Sequence, residues 1–232
     1  EIAADVVAMD GRIVAIEPYA TADSDASGAV VELAGDEVLL PGVVDTHVHV
    51  NEPGRTEWEG FETATASAAA GGVTTIVDMP LNSVPPTIDV PALSAKLASA
   101  AGRIHVDVGF FAGIVPGNLA EVSALDAAGV LGFKVFLLDS GVAEFGHLDR
   151  AGLEDALRAV KACGSRLFVH AEDADTIASA PATNGRGYAD FLASRPKAAE
   201  DVAIAAVIDA ARRTEARAHI VHLSSSDAIP MI

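Results

Sequence analysis

From Val38 onward, apolar runs of strand length, rich in β-branched residues, alternate with longer Ala-rich segments whose apolar positions recur every three or four residues. That rhythm is the mark of βαβ units and a parallel sheet, whose strands are covered on both faces and so lose the polar alternation of a half-exposed strand. It predicts strands near Leu39–Val50, Val73–Met79, Ile104–Ala112, Gly132–Leu138, Arg166–Ala171 and Ala218–Leu223. Helices are predicted near Trp58–Ala70, Val90–Ala101, Leu119–Ala128, Gly152–Cys163 and Ala198–Thr214. In the last of these, Val202, Ala205, Ala206 and Ala210 form the apolar stripe of a helix lying on a sheet.

The N-terminal segment follows a different pattern. Asp5 to Ile16 alternate apolar and polar residues around Asp10-Gly11, a two-residue hairpin signal between short strands. Thr21 to Gly28 reads as a loop and Ala29 to Leu33 as one more short strand. So few residues cannot bury a core alone, so residues 1–38 are expected to be a partial domain and residues 39–232 the main α/β domain.

Functional side chains on a parallel sheet gather at the C-terminal strand ends. The first main strand closes with His47-Val48-His49, which alternation points to one side, one pleat apart, where two imidazoles can reach one ion. The fifth strand ends in His170 and the sixth in His222. His219 lies three residues before His222, on the opposite face by strict alternation, and is assigned to packing. His105 opens its strand at the wrong end for chemistry, His147 lies in a loop, and Cys163 reads as a small buried residue. The fourth strand, Gly132 to Leu138, carries Lys134 in an otherwise apolar run. An ammonium there must pair, snorkel or lose its proton, and a neutral amine can add carbon dioxide to become an anionic carbamate able to bridge two cations.

Composition narrows the partners. With 15 Lys and Arg against 33 Asp and Glu, the formal charge of −18 repels phosphate backbones and anionic bilayers, so neither nucleic acid nor membrane is expected as a partner. Half the residues are apolar, which excludes disorder. One cysteine cannot form an internal disulfide, and the first ten residues lack a basic and apolar leader; a cytoplasmic location is expected. There is no P-loop, and no GxGxxG follows the first strand.

The run Leu39-Leu40-Pro41-Gly42-Val43-Val44-Asp45-Thr46-His47-Val48-His49-Val50-Asn51-Glu52-Pro53-Gly54-Arg55 resembles the amidohydrolase superfamily, in its cyclic amidase branch of allantoinases, dihydroorotases and hydantoinases. The segments Ala70 to Ser83, Gly132 to Phe136 and Val221 to Ser225 are most similar to allantoinases. The resemblance implies a (β/α)8 TIM barrel, here incomplete with about six strands, and a small partial β-sandwich at the N-terminus. It implies a binuclear centre of two divalent metal ions, with His47 and His49 on one, His170 and His222 on the other, and carboxylated Lys134 as the bridge. Such donors accept zinc, the default, or Co, Mn, Fe or Ni. The implied activity is opening of the allantoin ring to allantoate in purine and ureide catabolism, by a hydroxide held between the ions. The alternatives are dihydroorotase, hydantoinase or a non-catalytic scaffold relative.

Arg55 and Asn82, in the loops after the first and second strands, are the implied contacts to a small cyclic ureide substrate. Where hydantoinases carry a tyrosine after the bridging lysine, this chain has Leu138-Asp139-Ser140. The family's general-base aspartate follows an eighth strand; none of Asp45, Asp78, Asp139 and Asp173 matches it, so it is expected beyond Ile232. The chain begins with Glu rather than Met and is short against the ~250 residues of a typical barrel, so it is expected to be part of a longer enzyme. A homo-oligomer, often a tetramer, is expected from the family.

Overall fold

A computed structural model describes residues 2–20, 28–183 and 185–232. The chain forms two units, Glu1–Pro41 and Gly42–Ile232.

In the first unit, β1 (Ala4–Met9) and β2 (Arg12–Pro18) form the antiparallel hairpin predicted from Asp10-Gly11. Asp10 and Gly11 both adopt left-handed φ, 51° and 73°, as a tight hairpin turn requires. The ladder pairs Val6 with Ile16 and Met9 with Arg12, and slips at Val7/Ala8. No strand forms at Ala29 to Leu33: Val30 and Val31 are exposed, and among the described residues no neighbouring strand completes a ladder with them. The predicted loop from Thr21 to Gly28 lies, apart from Gly28, outside the described residues.

The second unit begins with β3 (Val43–Val48), followed by α1 (Phe61–Ala70), β4 (Val73–Asp78), α2 (Val90–Ala100), β5 (Asp107–Phe110) and β6 (Ala112–Gly113). A 3-10 turn at Leu119–Glu121 leads into α3 (Val122–Ala127), then β7 (Phe133–Phe136), α4 (Arg150–Ala162) and β8 (Leu167–His170). Two short helices absent from the sequence reading, α5 (Ala174–Ser179) and α6 (Tyr188–Ser194), precede α7 (Lys197–Thr214), β9 (Ala218–Ile220) and a closing 3-10 segment, Ser226–Met231.

Every neighbouring strand pair in this unit is parallel. The predicted third strand is two pieces. Its Phe111 N–H still donates to Asp78 O at 2.9 Å, whereas the next amide, Ala112, donates to Gly132 O at 3.0 Å. One strand thus passes its pairing from β4 to β7, and the order β3-β4-β5/β6-β7-β8-β9 follows the sequence with helical crossovers. That is the succession of a (β/α)8 barrel, present here as six strands.

Short caps set the helices. Asp89 accepts from Ala92 N–H at the start of α2, Asp149 from Gly152 N–H at α4, and Asp173 from Thr176 N–H at α5. Helix α1 begins at Gly60, which has no side chain to cap it. The Glu52 carboxylate supplies the acceptor instead, 3.0 Å from Phe61 N, and is itself paired with Arg103.

The alternation of β7 organises the interior. Phe133 and Val135 join the layer under α4 and α7, packed with Leu153, Leu157, Ile204 and Val207. Lys134 and Phe136 point the other way, and Phe136 packs with Val77, Met79, Phe111 and Phe145 in a second cluster. Among the described residues no helix is long and apolar enough to cross a membrane.

Candidate metal centre

The C-terminal ends of β3, β8 and β9 bring four histidines together. The His47 ring lies 5.4 Å from His49 and 5.3 Å from His222, centroid to centroid, and His170 lies 4.6 Å from His222. His49 Nδ1 is 2.7 Å from Leu81 O; a carbonyl only accepts, so Nδ1 carries the proton and Nε2 keeps its lone pair. His170 lies nearly parallel to the Phe136 ring, at 4.7 Å and 17°, with Nδ1 3.1 Å from His222 Nε2.

His222 is not placed by strand alternation. Strand β9 ends at Ile220, and His222 has a left-handed φ of 37°. The opposite-face argument that separated His219 from His222 therefore does not apply at this strand end. His219 is paired in register with Phe168 and packs against that ring at 5.2 Å.

Lys134 is 1% exposed, and its Nζ is buried with no hydrogen-bond partner; it sits 4.8 Å from the Phe136 ring centroid. Burial brings its amine down to about 7. Burial also lowers His47 and His222 to about 4, with the Lys134 charge as the next cause, and moves His49 down. These imidazoles are neutral near pH 7, the form in which they coordinate.

The donor set fits a divalent ion in kind and in spacing. Two nitrogens sharing a tetrahedral zinc with bonds of about 2.0–2.1 Å lie about 3.3–3.4 Å apart, close to the 3.1 Å between His170 Nδ1 and His222 Nε2. Among the described residues, however, no three His, Cys, Asp or Glu side chains form a complete site. Imidazole donors carry no negative charge. The Lys134 amine, buried without a hydrogen-bond partner, acts electrostatically on His47, His49 and His222.

Arg55 and Asn82 meet each other. Arg55 Nη1 donates to Asn82 O at 2.6 Å and Nη2 to Glu144 at 3.1 Å, while its guanidinium stands 5.1 Å from the Trp58 ring. Asn82 Nδ2 donates to Asn51 Oδ1 at 3.0 Å. Asn82 directly follows Leu81, whose carbonyl holds His49, so this polar group adjoins the histidines through the backbone. His105, by contrast, lines a groove with Val73, Thr74 and Asp107 at the N-terminal strand ends.

Three carboxylates have a place here that the sequence did not assign to them. Glu172 Oε2 is 2.8 Å from His170 Nε2, and His170 and Arg195 keep its carboxyl below the usual range. Its signal was the spacing His170-Ala171-Glu172, the same i, i+2 relation that joined His47 to His49. Glu200, on α7, accepts the N–H groups of Ser224 and Ser225 at 2.8 and 2.5 Å, just after His222. Asp78 pairs with Lys96 in the interior; nothing in sequence links those two.

The sequence profile of the amidohydrolase family matches residues 38–232. The chain is 53% identical over 230 residues to an allantoinase of Streptomyces avermitilis, covering 99% of this chain and 51% of that protein. It is 43% identical over 228 residues to a mitochondrial allantoinase of Aquarana catesbeiana, covering 98% and 47%. Its fold matches the L-hydantoinase (dihydropyrimidinase) of Arthrobacter aurescens with a TM-score of 0.86 at 32% identity, over 99% of this chain and 51% of that one. The chain thus spans about half the length of the curated relatives it matches.

Proposed function

The chain belongs to the amidohydrolase family, and on that premise we propose that its protein hydrolyses the ring amide of allantoin to give allantoate. The observation that carries this reading is the cluster of four histidines with the buried, unpartnered Lys134. The 53% identity to the Streptomyces avermitilis allantoinase favours allantoin over other cyclic amides. The match to an L-hydantoinase keeps a 5-substituted hydantoin as the second reading.

Family membership implies a binuclear divalent centre. His47 and His49 would hold one ion, His170 and His222 the other, and Lys134, carboxylated on Nζ, would bridge them. A low amine pKa leaves Lys134 largely able to attack carbon dioxide near neutral pH, releasing one proton to solvent as the carbamate forms. Zinc suits this donor set. When bound, such ions activate water and polarise the scissile carbonyl. The chain's own residues supply the rest: the histidines present lone pairs, Phe136 fixes the plane of His170, and Arg55 with Asn82 offers donors for ureide oxygens. The leaving nitrogen needs a proton donor, a role this reading gives to none of Asp45, Asp78, Asp139 and Asp173. A homotetramer in the cytoplasm completes the reading.

The test is ring opening by the metal-loaded full-length protein, with allantoin, dihydroorotate and 5-substituted hydantoins assayed side by side. Allantoin should have the highest kcat/KM. Preference for a hydantoin would shift the assignment to the second reading, and no turnover of any of the three would leave only a scaffold role.

A further inference from the structure

His170 has both ring nitrogens engaged. Nδ1 faces His222 Nε2 at 3.1 Å, and Nε2 faces Glu172 Oε2 at 2.8 Å. A carboxylate only accepts, so the short contact to Glu172 places the His170 proton on Nε2 and leaves the Nδ1 lone pair directed at His222. His49 shows the opposite arrangement, with Nδ1 on the Leu81 carbonyl and Nε2 free. In neither ring is the tautomer left to chance: one is set by a backbone carbonyl, the other by a side chain.

Glu172 is itself held on both sides. Its second oxygen lies 3.6 Å from Arg195 Nη1 at the end of α6. Its chain neighbour Asp173 donates its N–H to Ala199 O at 2.8 Å and caps α5 through Thr176. The Phe136 ring stacks on the His170 imidazole at 4.7 Å and 17°, packing one of its faces.

We infer that Glu172 is a positioning residue that holds His170 in the Nε2–H tautomer, so that Nδ1 is the nitrogen offered to an ion shared with His222. This rests on the proposed metal centre. A carboxylate behind a ligating imidazole also raises its basicity, and losing such a partner typically weakens metal binding about 10–100-fold.

The experiment measures zinc binding to the metal-free full-length protein by competition with a chromophoric chelator, resolving the two binding steps. Glu172→Met removes the acceptor at similar volume, Glu172→Ala removes it outright, and Glu172→Gln keeps an oxygen that still accepts from Nε2–H. The Met and Ala variants should weaken one zinc step about 10–100-fold and leave the other unchanged. The Gln variant should recover most of that loss, and all three should keep the thermal midpoint of the metal-free wild type. Wild-type affinity in the Met or Ala variant would overturn the inference. So would equal weakening of both steps with a lowered midpoint, the result of a merely structural role, or a Gln variant no better than Met. His170→Ala separates the two levels. If wild type binds two zinc ions and His170→Ala loses one while Glu172→Met binds both with wild-type affinity, only the role of Glu172 fails. If wild type binds fewer than two, or His170→Ala changes nothing, the metal-centre reading fails and takes this inference with it.

Discussion

The Lys96 ammonium and the Asp78 carboxylate form an ion pair at 1% and 0% side-chain exposure, joining the inner face of α2 to the C-terminal end of β4. Asp78 Oδ1 also accepts the Val50 N–H at 2.7 Å, and Lys96 reaches the Val50 and Met79 carbonyls at 3.4 Å. The pair therefore clamps the residue directly after His49. Burial raises the Asp78 carboxyl to about 6, and the Lys96 charge opposes a larger rise.

Removing one partner leaves the other charge buried without compensation, a change that costs about 3–5 kcal/mol in comparable pairs. Lys96→Met and Asp78→Asn should each lower stability by that order in urea unfolding of the full-length protein. Asp78→Leu combined with Lys96→Met should cost less than the sum of the single changes, because neither charge then remains. Additive losses would show that the two groups do not act as a pair.

Acid should destabilise the metal-free protein through its histidines. Burial holds folded His47 and His222 at about 4, against an ordinary 6.5 in the unfolded chain. Between those values the unfolded chain binds protons that the folded one refuses, so stability is lost as pH falls from about 6.5 to about 4. Asp78 works in the reverse sense over much of the same window, because its folded carboxyl, raised to about 6, keeps a proton that the unfolded one has released. Two imidazoles outweigh one carboxyl, and the lowered His49 adds to them. The urea midpoint at pH 4.5 should lie below that at pH 7, and His47→Gln should reduce the difference. An equal or higher midpoint at pH 4.5 would contradict the burial of these rings.

How much of this was legible in the sequence depended on how local each relation is. His47 and His49 are two residues apart on one strand, and Lys134 interrupts an otherwise apolar run; each pattern exposes itself within a few residues. The parallel α/β succession was readable for the same reason. The exchange of partners at Phe111 was not, because it depends on which strand lies beside β5 and which beside β6. Nothing local to Lys96 announces its partner, because only the fold places Asp78 of β4 against it. His222 could be recognised by type but not by direction, since its left-handed backbone ends the alternation from which direction is inferred.

Lys134 should be indispensable and should depend on dissolved carbon dioxide. Its amine titrates at about 7, and only the neutral form adds carbon dioxide. Metal-free protein reloaded with zinc in carbonate-depleted buffer should recover little activity until bicarbonate is supplied, and the rate of recovery should rise with pH through about 7. Lys134→Met should lower kcat/KM at least about 100-fold, the scale expected when a metal-bridging donor is lost. Full recovery without bicarbonate would exclude the carbamate.

Arg55 should report on substrate binding rather than on the metals. Its guanidinium is held by Asn82 O, Glu144 and the Trp58 face, all on loops. A charge-assisted hydrogen bond to a ureide oxygen contributes about 1.5–3 kcal/mol. Arg55→Ala should therefore raise KM for allantoin by about 10–100-fold while zinc stoichiometry stays at the wild-type value. Arg55→Lys should restore little, because one ammonium cannot reproduce the planar fork. An unchanged KM would place Arg55 among purely structural loop contacts.

Glu200 offers the sharpest separation between folding and site geometry at β9. Its two oxygens each accept one backbone N–H, from Ser224 and Ser225, while Ser224 Oγ donates to His222 O at 2.9 Å. These bonds hold the turn in which His222 keeps a φ of 37°, a conformation a β-carbon disfavours and that the surroundings must enforce. Glu200→Gln keeps one accepting oxygen and replaces the other with a donor facing an N–H, so one backbone amide loses its partner. Because this clamp is partly solvated, the stability loss should be about 1–2 kcal/mol, within the range for one unsatisfied group. The effect on zinc should be selective: the step involving His222 weakens while that of His47 and His49 does not. Stability loss with both zinc steps unchanged would show that the turn holds its shape without Glu200, and that the backbone of His222 is set by β9 and α7 packing alone.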